Sequence, residues 1–248
     1  MMGAMPRIAE GLHRLGSELV NFYVVWDAEG LTVVDAGLPG FYDRLEACLN
    51  ERGHERDDIR ALVLTHAHVD HVGFAERLRT EHGVRVLVHA DDEKMARTGK
   101  QPRPERLPFA YFRHRAAYQI IGHVVRYGGA RRLKVGEVET FADGDTLDVP
   151  GRPRVYHCPG HSHGCVALHF ESHGALLVGD VMCSRNPLTG RLGPQVPPAA
   201  FNVSSDQALA SLSKLEGLEA AVIGFGHGDP WRDGVGEAVA RARATGRT

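Results

Sequence analysis

The stretch Thr65-His66-Ala67-His68-Val69-Asp70-His71 follows directly on the apolar run IRALVL at residues 59–64. A short apolar run of this kind is typical of a buried strand, so the histidines and the aspartate occupy a loop at a strand end. Imidazole nitrogens and carboxylate oxygens are ligands that Zn²⁺ accepts. Two metal ions about 3.5–4 Å apart, sharing a hydroxide derived from water, would use all four of these side chains. The stretch therefore predicts a two-metal site.

Strand-like runs on either side of this loop lead to further candidate site residues. Two β-branched and aromatic runs at residues 19–27 and 31–37 are joined by a turn, which predicts a hairpin that ends at Asp35. Later strand-like runs lead to His161, Asp180 and His227. Because each half of the chain has one strand before a His-rich loop and one strand before an aspartate, we interpret the halves as two similar units packed face to face.

Composition narrows the function classes. Hydrophobic residues make up 43% of the 248-residue chain and charged residues 24%, as in an ordinary globular protein. The formal net charge of -2 gives no support to a nucleic-acid partner. The amino-terminal sequence lacks the apolar segment of a secretory signal, and no run reaches the ~18 apolar residues of a membrane span. We therefore expect a cytoplasmic protein that acts on a small molecule, without a membrane partner.

Five motifs together resemble the metallo-β-lactamase superfamily, and they stand in the family's order. They are VVDAG with Asp35, THAHVDH, PGHSHG with His161, LLVGD with Asp180 and GFGHG with His227. The resemblance implies an α/β (α+β) fold, a four-layer αβ/βα sandwich of two mixed β-sheets flanked by helices. It implies that the whole chain, residues 1–248, is one domain of this fold.

The resemblance also implies a ligand set. His66, His68 and His161 would bind a first metal, Asp70, His71 and His227 a second, and Asp180 would bridge the two. Zinc is the expected metal, although the same ligands accept iron or manganese. By the same resemblance Asp35 would steady the metal loop by hydrogen bonding. An aspartate that only caps a turn at a strand end would occupy the same position.

Two metals with this ligand set predict hydrolysis, because they generate hydroxide near neutral pH and polarise the group that it attacks. Asp70 and Asp180 are then the predicted catalytic residues, and Asp70 would orient the hydroxide. The expected substrate is a small ester, lactone, thioester or phosphoester. True β-lactamases of the superfamily usually carry Cys or Ser at the position of Asp180, which disfavours that activity.

Two alternative functions remain open. Lactonases of the superfamily carry Tyr three residues after the bridging aspartate, where this chain has Cys183, so lactone hydrolysis would require a departure from their pattern. An iron-dependent redox enzyme, similar to the sulfur dioxygenases of the same fold, would use the same ligands.

Residues at about 98–133 differ in composition from the rest of the chain and predict an insertion rich in Pro, Arg and aromatic residues. We expect this insertion either to form a lid over the metals or to mediate contact between two copies of the chain in a homodimer. The candidate substrate-pocket residues are three aromatic residues of the insertion and two residues near the metal motifs. They are Phe109, Tyr111, Phe112, His163 and Cys183.

Overall fold

The computed structural model describes residues 7–248, which form thirteen strands and six α-helices. The strands are β1 Arg7–Ala9, β2 Leu12–Gly16, β3 Asn21–Asp27, β4 Gly30–Val34, β5 Ile59–Val63, β6 Arg85–His89, β7 Glu139–Phe141, β8 Arg154–His157, β9 Val166–Phe170, β10 Ala175–Gly179, β11 Cys183–Arg185, β12 Leu192–Gln195 and β13 Val222–Phe225. The helices are α1 Tyr42–Arg52, α2 Ala75–His82, α3 Glu93–Thr98, α4 Arg115–Arg126, α5 Ser205–Ser211 and α6 Val235–Thr245.

The strands form two main sheets, both of them mixed. In the first sheet the strands lie in sequence order from β1 to β7, with antiparallel pairs up to β4 and parallel pairs beyond it. The second sheet has the order β13-β10-β9-β8, in which only β10 and β13 run parallel. Strands β11 and β12 form a separate two-stranded ribbon. The predicted hairpin is present as β3 and β4, paired from Tyr23 with Val34 to Asp27 with Gly30.

Three apolar clusters show how the layers pack. One lies between the two sheets and includes Val63 of the first sheet and Leu177 of the second. Another covers the outer face of the first sheet with residues such as Leu45 and Leu78 of α1 and α2. The third covers the outer face of the second sheet and includes Val239 of α6. The order of layers is thus helices, sheet, sheet, helices, and the predicted four-layer sandwich is confirmed.

This topology gathers the motif residues at one edge of the sandwich. Strands β4 and β5 are parallel neighbours, and so are β10 and β13, so the carboxyl ends of each pair share an edge. Asp35 follows β4 and THAHVDH follows β5, while Asp180 follows β10 and His227 comes shortly after β13. The Val166 N–H donates a hydrogen bond of 2.9 Å to the Thr65 carbonyl, which ties the two sheets together here.

The segment at residues 98–133 contains helix α4, which packs on the outer face of the first sheet through the buried Ala117 and Ile120. Several large apolar side chains of the segment remain exposed, including Phe109 at 72%. Within residues 7–248 none of the helices is long and apolar enough to cross a membrane.

Candidate metal centre

Three histidines converge at the edge of the sandwich where the two sheets meet. His161 Nε2 lies 2.8 Å from His68 Nδ1 and 3.1 Å from His66 Nε2. A tetrahedral ion with zinc-to-nitrogen distances of about 2.0–2.1 Å requires ligand atoms about 3.3 Å apart, close to this spacing. Burial lowers the pKa of all three imidazoles, and that of His66 and His68 lies well below its usual range. The three rings are therefore neutral at pH 7, the form that binds a metal ion.

Asp180 connects this group to a second one formed by Asp70, His71 and His227. Its Oδ2 lies 3.3 Å from His161 Nε2 and 3.1 Å from His227 Nε2. Its Oδ1 lies 3.7 Å from His71 Nε2. Asp70 Oδ2 lies 3.5 Å from His227 Nε2. The carboxylate of Asp180 therefore contacts ligand atoms of both groups.

Two buried atoms at the centre of this cluster indicate that it is built for a cation. His71 Nε2 and Asp180 Oδ1 have no hydrogen-bond partner among residues 7–248, although both are shielded from solvent. A buried polar atom without a partner costs about 1–3 kcal/mol, more when it is charged. Both atoms are good ligands for a divalent metal ion, which would satisfy them together. The donor set therefore fits the metals that the sequence predicted.

The charges of the cluster support the same conclusion. Burial acts to lower the pKa of His71, but the charge and hydrogen bond of Asp35 together with the charges of Asp180 and Asp70 outweigh burial and raise the pKa to about 10. Asp180 and Asp70 likewise overcome the effect of burial at His227 and raise its pKa to about 9. Without metal, these protons balance the negative charge of the carboxylates. A divalent cation would take their place.

Hydrogen bonds outside the cluster orient two of the ligands. His161 Nδ1 donates to Asn202 Oδ1 at 3.0 Å, and His227 Nδ1 donates to the Leu19 carbonyl at 2.5 Å. A proton on Nδ1 leaves the Nε2 lone pair of each ring directed into the cluster. Such partners fix the tautomer and the ring orientation of metal-binding histidines.

Asp35 lies against the THAHVDH loop and contacts it through its carboxylate. Its carboxylate accepts hydrogen bonds from the Thr65 N–H at 2.8 Å, from the Thr65 hydroxyl at 2.8 Å and from His71 Nδ1 at 2.8 Å. The side chain is buried and the backbone has a φ of 61°, which is uncommon outside glycine. The carboxylate thus holds both ends of the THAHVDH loop.

Asp92 performs a similar role that sequence reasoning missed. It is buried, and its carboxylate accepts bonds from the Ala67 N–H, the Ser162 hydroxyl and the Gly164 N–H, at 3.1, 2.7 and 2.7 Å. It thereby joins the THAHVDH loop, through Ala67, to the PGHSHG loop, through Ser162 and Gly164. Only its place after a strand-like run, as for Asp35, could have drawn attention to it. Asn202 was missed too, since it lies in an irregular segment far from His161 in the chain.

A cavity of about 390 Å³ opens beside the metal cluster. Its floor is formed by His68, Asp70, His161, Asp180 and His227. Its walls come from the 98–133 segment and from residues shortly before α5, and they are lined by Gln101, Pro102, Pro104, Ile120, Ile121, Val124, Val125, Ala200, Phe201 and Val203. Residues of the 98–133 segment therefore form one wall of a cavity beside the metal cluster.

The family model described as "Metallo-beta-lactamase superfamily" matches residues 15–227, a range that contains every candidate ligand. The chain belongs to the metallo-β-lactamase superfamily. A probable metallo-hydrolase of Bacillus subtilis, YflN, is 26% identical over 245 residues that cover 92% of this chain and 88% of the relative. A human acyl-coenzyme A thioesterase, MBLAC2, is 28% identical over 188 residues, or 71% of this chain and 62% of the relative.

Solved structures agree with this membership. A metallo-β-lactamase family protein of Thermus thermophilus, TTHA1429, superposes with a TM-score of 0.69 at 28% identity. The superposition covers 96% of this chain and 80% of that protein. This chain is therefore a metallo-hydrolase of the metallo-β-lactamase superfamily, with histidine and aspartate groups suited to divalent metal ions.

None of the five candidate substrate-pocket residues lines the cavity beside the metal cluster. The Phe109 ring is exposed, Phe112 packs on the first-sheet cluster, and the Tyr111 hydroxyl donates to the Thr248 carbonyl at 2.8 Å. His163 is exposed, and Cys183 is fully buried in β11. Helix α4 instead contributes aliphatic side chains to the lining of the cavity.

Proposed function

We propose that this protein is a two-metal hydrolase of a small ester, lactone, thioester or phosphoester. The observation that carries the proposal is the position of Asp180, whose two oxygens reach His161, His71 and His227 from one buried carboxylate. A single metal ion would not need ligands on both sides of this carboxylate. Zinc is the proposed metal, since it accepts imidazole and carboxylate ligands in tetrahedral sites with an open position.

When bound, two such ions would lower the pKa of a water molecule toward about 7 and polarise the bond to be cleaved. In this proposal Asp70 would act on that water. Its side chain is 16% exposed, lines the cavity and has Oδ2 3.5 Å from His227 Nε2. A carboxylate in this position can accept a hydrogen bond from the water and hold it toward the substrate. The name of the human thioesterase relative supports a thioester among the candidate bonds.

Metal analysis combined with a substrate panel tests the proposal. Protein purified without added metal should contain about two metal ions per chain, chiefly zinc, and should hydrolyse activated esters, lactones, thioesters or phosphoesters. Asp70→Asn should lower kcat about 10²–10⁴-fold, as expected for the loss of a carboxylate that accepts a proton or hydrogen bond from the attacking water. The control Asp148→Asn changes an aspartate that is 93% exposed, and it should leave the rate unchanged.

Two results would overturn the proposal. One is iron as the sole metal, with oxygen uptake on a persulfide and no hydrolysis. The other is full activity in the Asp70→Asn variant at normal metal content.

A further inference from the structure

The cavity beside the metal cluster has an aliphatic wall that hydrolysis itself does not require. Helix α4 contributes Ile120, Ile121, Val124 and Val125, whose spacing places them on one face of the helix. Further apolar residues also line the cavity, namely Pro102, Pro104, Ala200, Phe201 and Val203. The cavity therefore offers a ligand a mostly apolar lining beside the candidate metal ligands.

The charges of the lining residues are confined to that floor. No lysine or arginine lines the cavity within the part of the chain that the structure describes. Apart from the floor residues, the one polar side chain is Gln101, whose amide lies 3.5 Å from the Ala67 carbonyl. A charged or strongly polar ligand group placed between these walls would lose its hydration without gaining a partner. The lining therefore favours an uncharged, apolar ligand group in the part of the cavity away from the floor.

Two residues of the wall expose apolar surface that a ligand would cover. Ile121 is 45% exposed and Val125 is 58% exposed, although both are large aliphatic side chains. A hydrocarbon chain placed against them would remove this surface from water, and that gain is proportional to the area buried.

We propose that the cavity binds the acyl chain of an aliphatic ester or thioester, an inference that rests on the proposed function. The acyl chain is assigned to the cavity because the leaving group develops negative charge, which an apolar cavity destabilises and solvent stabilises. In the reaction the oxygen of water bonds to the acyl carbon, and the bond to the leaving oxygen or sulfur breaks with its electron pair. The leaving atom takes up a proton, and a fatty acid and an alcohol or thiol are released.

A series of p-nitrophenyl esters with the same leaving group tests the assignment in the metal-loaded enzyme. From acetate through butyrate and hexanoate to octanoate, kcat/KM should rise about fourfold per methylene until the cavity is filled. The matching series of acyl thioesters separates the two classes of leaving group, and both should show the same dependence on chain length. p-Nitrophenyl phosphate, which has no acyl chain, should be a poor substrate.

A substitution in the wall should shift the chain-length preference. Val125→Trp places a large side chain in the cavity, and because Val125 is exposed the fold should tolerate it. Its ratio of octanoate to acetate kcat/KM should fall by at least tenfold relative to the parent protein. The control Gln119→Trp adds the same side chain to α4 at an exposed residue that does not line the cavity. That control should keep the parent ratio.

The possible results distinguish failure of the acyl-chain assignment from failure of the proposed function. Absence of hydrolysis of every ester, lactone, thioester and phosphoester in the metal-loaded enzyme would refute the proposed function. Hydrolysis with a flat or falling dependence on acyl length would refute only the acyl-chain assignment. A rise in kcat/KM on lengthening the alcohol, rather than the acyl group, would also refute that assignment alone.

Discussion

The carboxylate of Asp92 accepts a hydrogen bond of 2.7 Å from the hydroxyl of Ser162, the residue that directly follows the candidate ligand His161. The same oxygen accepts the N–H of Ala67, the residue between His66 and His68. One buried carboxylate therefore sets the distance between the two loops that supply the first group of histidines. It contacts none of the reacting groups, so its role is to position them.

Asp92→Asn should weaken metal binding about 10–100-fold, the usual cost of losing a partner that positions metal ligands. The asparagine keeps the size of the side chain. It has one acceptor oxygen, whereas the donors of Ala67, Ser162 and Gly164 bind both oxygens of the aspartate. Metal affinity is measured by competition with a chelating dye, and kcat is measured at saturating metal. Asp91→Asn is the matched control, because Asp91 is the adjacent residue and 56% exposed. Equal affinities in the two variants would contradict the positioning role.

Two substitutions of Asp35 should differ in their effect on stability. Asp35→Asn tolerates the positive φ of this position and should mainly weaken metal binding, again about 10–100-fold. Asp35→Ala also carries the cost of a left-handed backbone and leaves Thr65 and His71 without their acceptor, so it should lose roughly 3 kcal/mol or more of stability. Urea denaturation of the metal-free proteins measures the difference. Similar free energies of unfolding for both variants would argue against this role of Asp35.

Gly226 lies against the candidate ligands Asp180 and His71. A Cβ at this position would overlap Asp180 Oδ1 and approach His71 Cε1 to 2.7 Å. Gly226→Ala should therefore displace both ligands, lower metal content and cost about 1–3 kcal/mol through overpacking. Gly122→Ala in α4 meets no atom within 4 Å and should instead add about 0.5–1 kcal/mol. Thermal unfolding and metal analysis measure stability and metal content in both variants. Equal metal content in the two would argue against displacement of Asp180 and His71.

Removal of metal should destabilise the fold, because a metal ion that binds the folded protein and not the unfolded chain stabilises the folded state. A site occupied at a thousandfold excess over Kd contributes about 4 kcal/mol. In a chain of this size that amounts to roughly 8–16 °C in Tm. Calorimetry with and without a chelator measures the shift, and chelator already saturated with zinc is the control. An unchanged Tm after complete metal removal would show that folding and metal binding are not coupled.

Much of the fold could be predicted from local patterns. The runs before Asp35, Asp180 and the THAHVDH loop are apolar and β-branched, and each forms a strand in the structure. Turn residues and helix caps are local too, and Ser204 caps α5 by accepting from the Gln207 N–H at 3.2 Å. The family membership followed from five motifs in order, and the family model confirms it.

The cavity could not be predicted in this way. The sequence placed the pocket at the aromatic residues around Tyr111, because aromatic residues are common in ligand sites. In the structure the Tyr111 hydroxyl bonds to Thr248, more than a hundred residues away, and the aliphatic face of α4 lines the cavity instead. Which face of an amphipathic helix meets a cavity depends on how the helix docks, and docking is decided by contacts between distant segments.

The sequence by itself determined the types of the candidate ligands, their order and the strand ends that carry them, because these depend on residues that are neighbours in the chain. Only the tertiary structure decided that Asp180 reaches ligands of both groups and that Asp92 joins the two histidine loops. It also decided that an aliphatic wall stands beside the cluster. These relationships depend on distances between residues far apart in sequence, which are set when the two sheets pack face to face and their parallel strands end at a common edge.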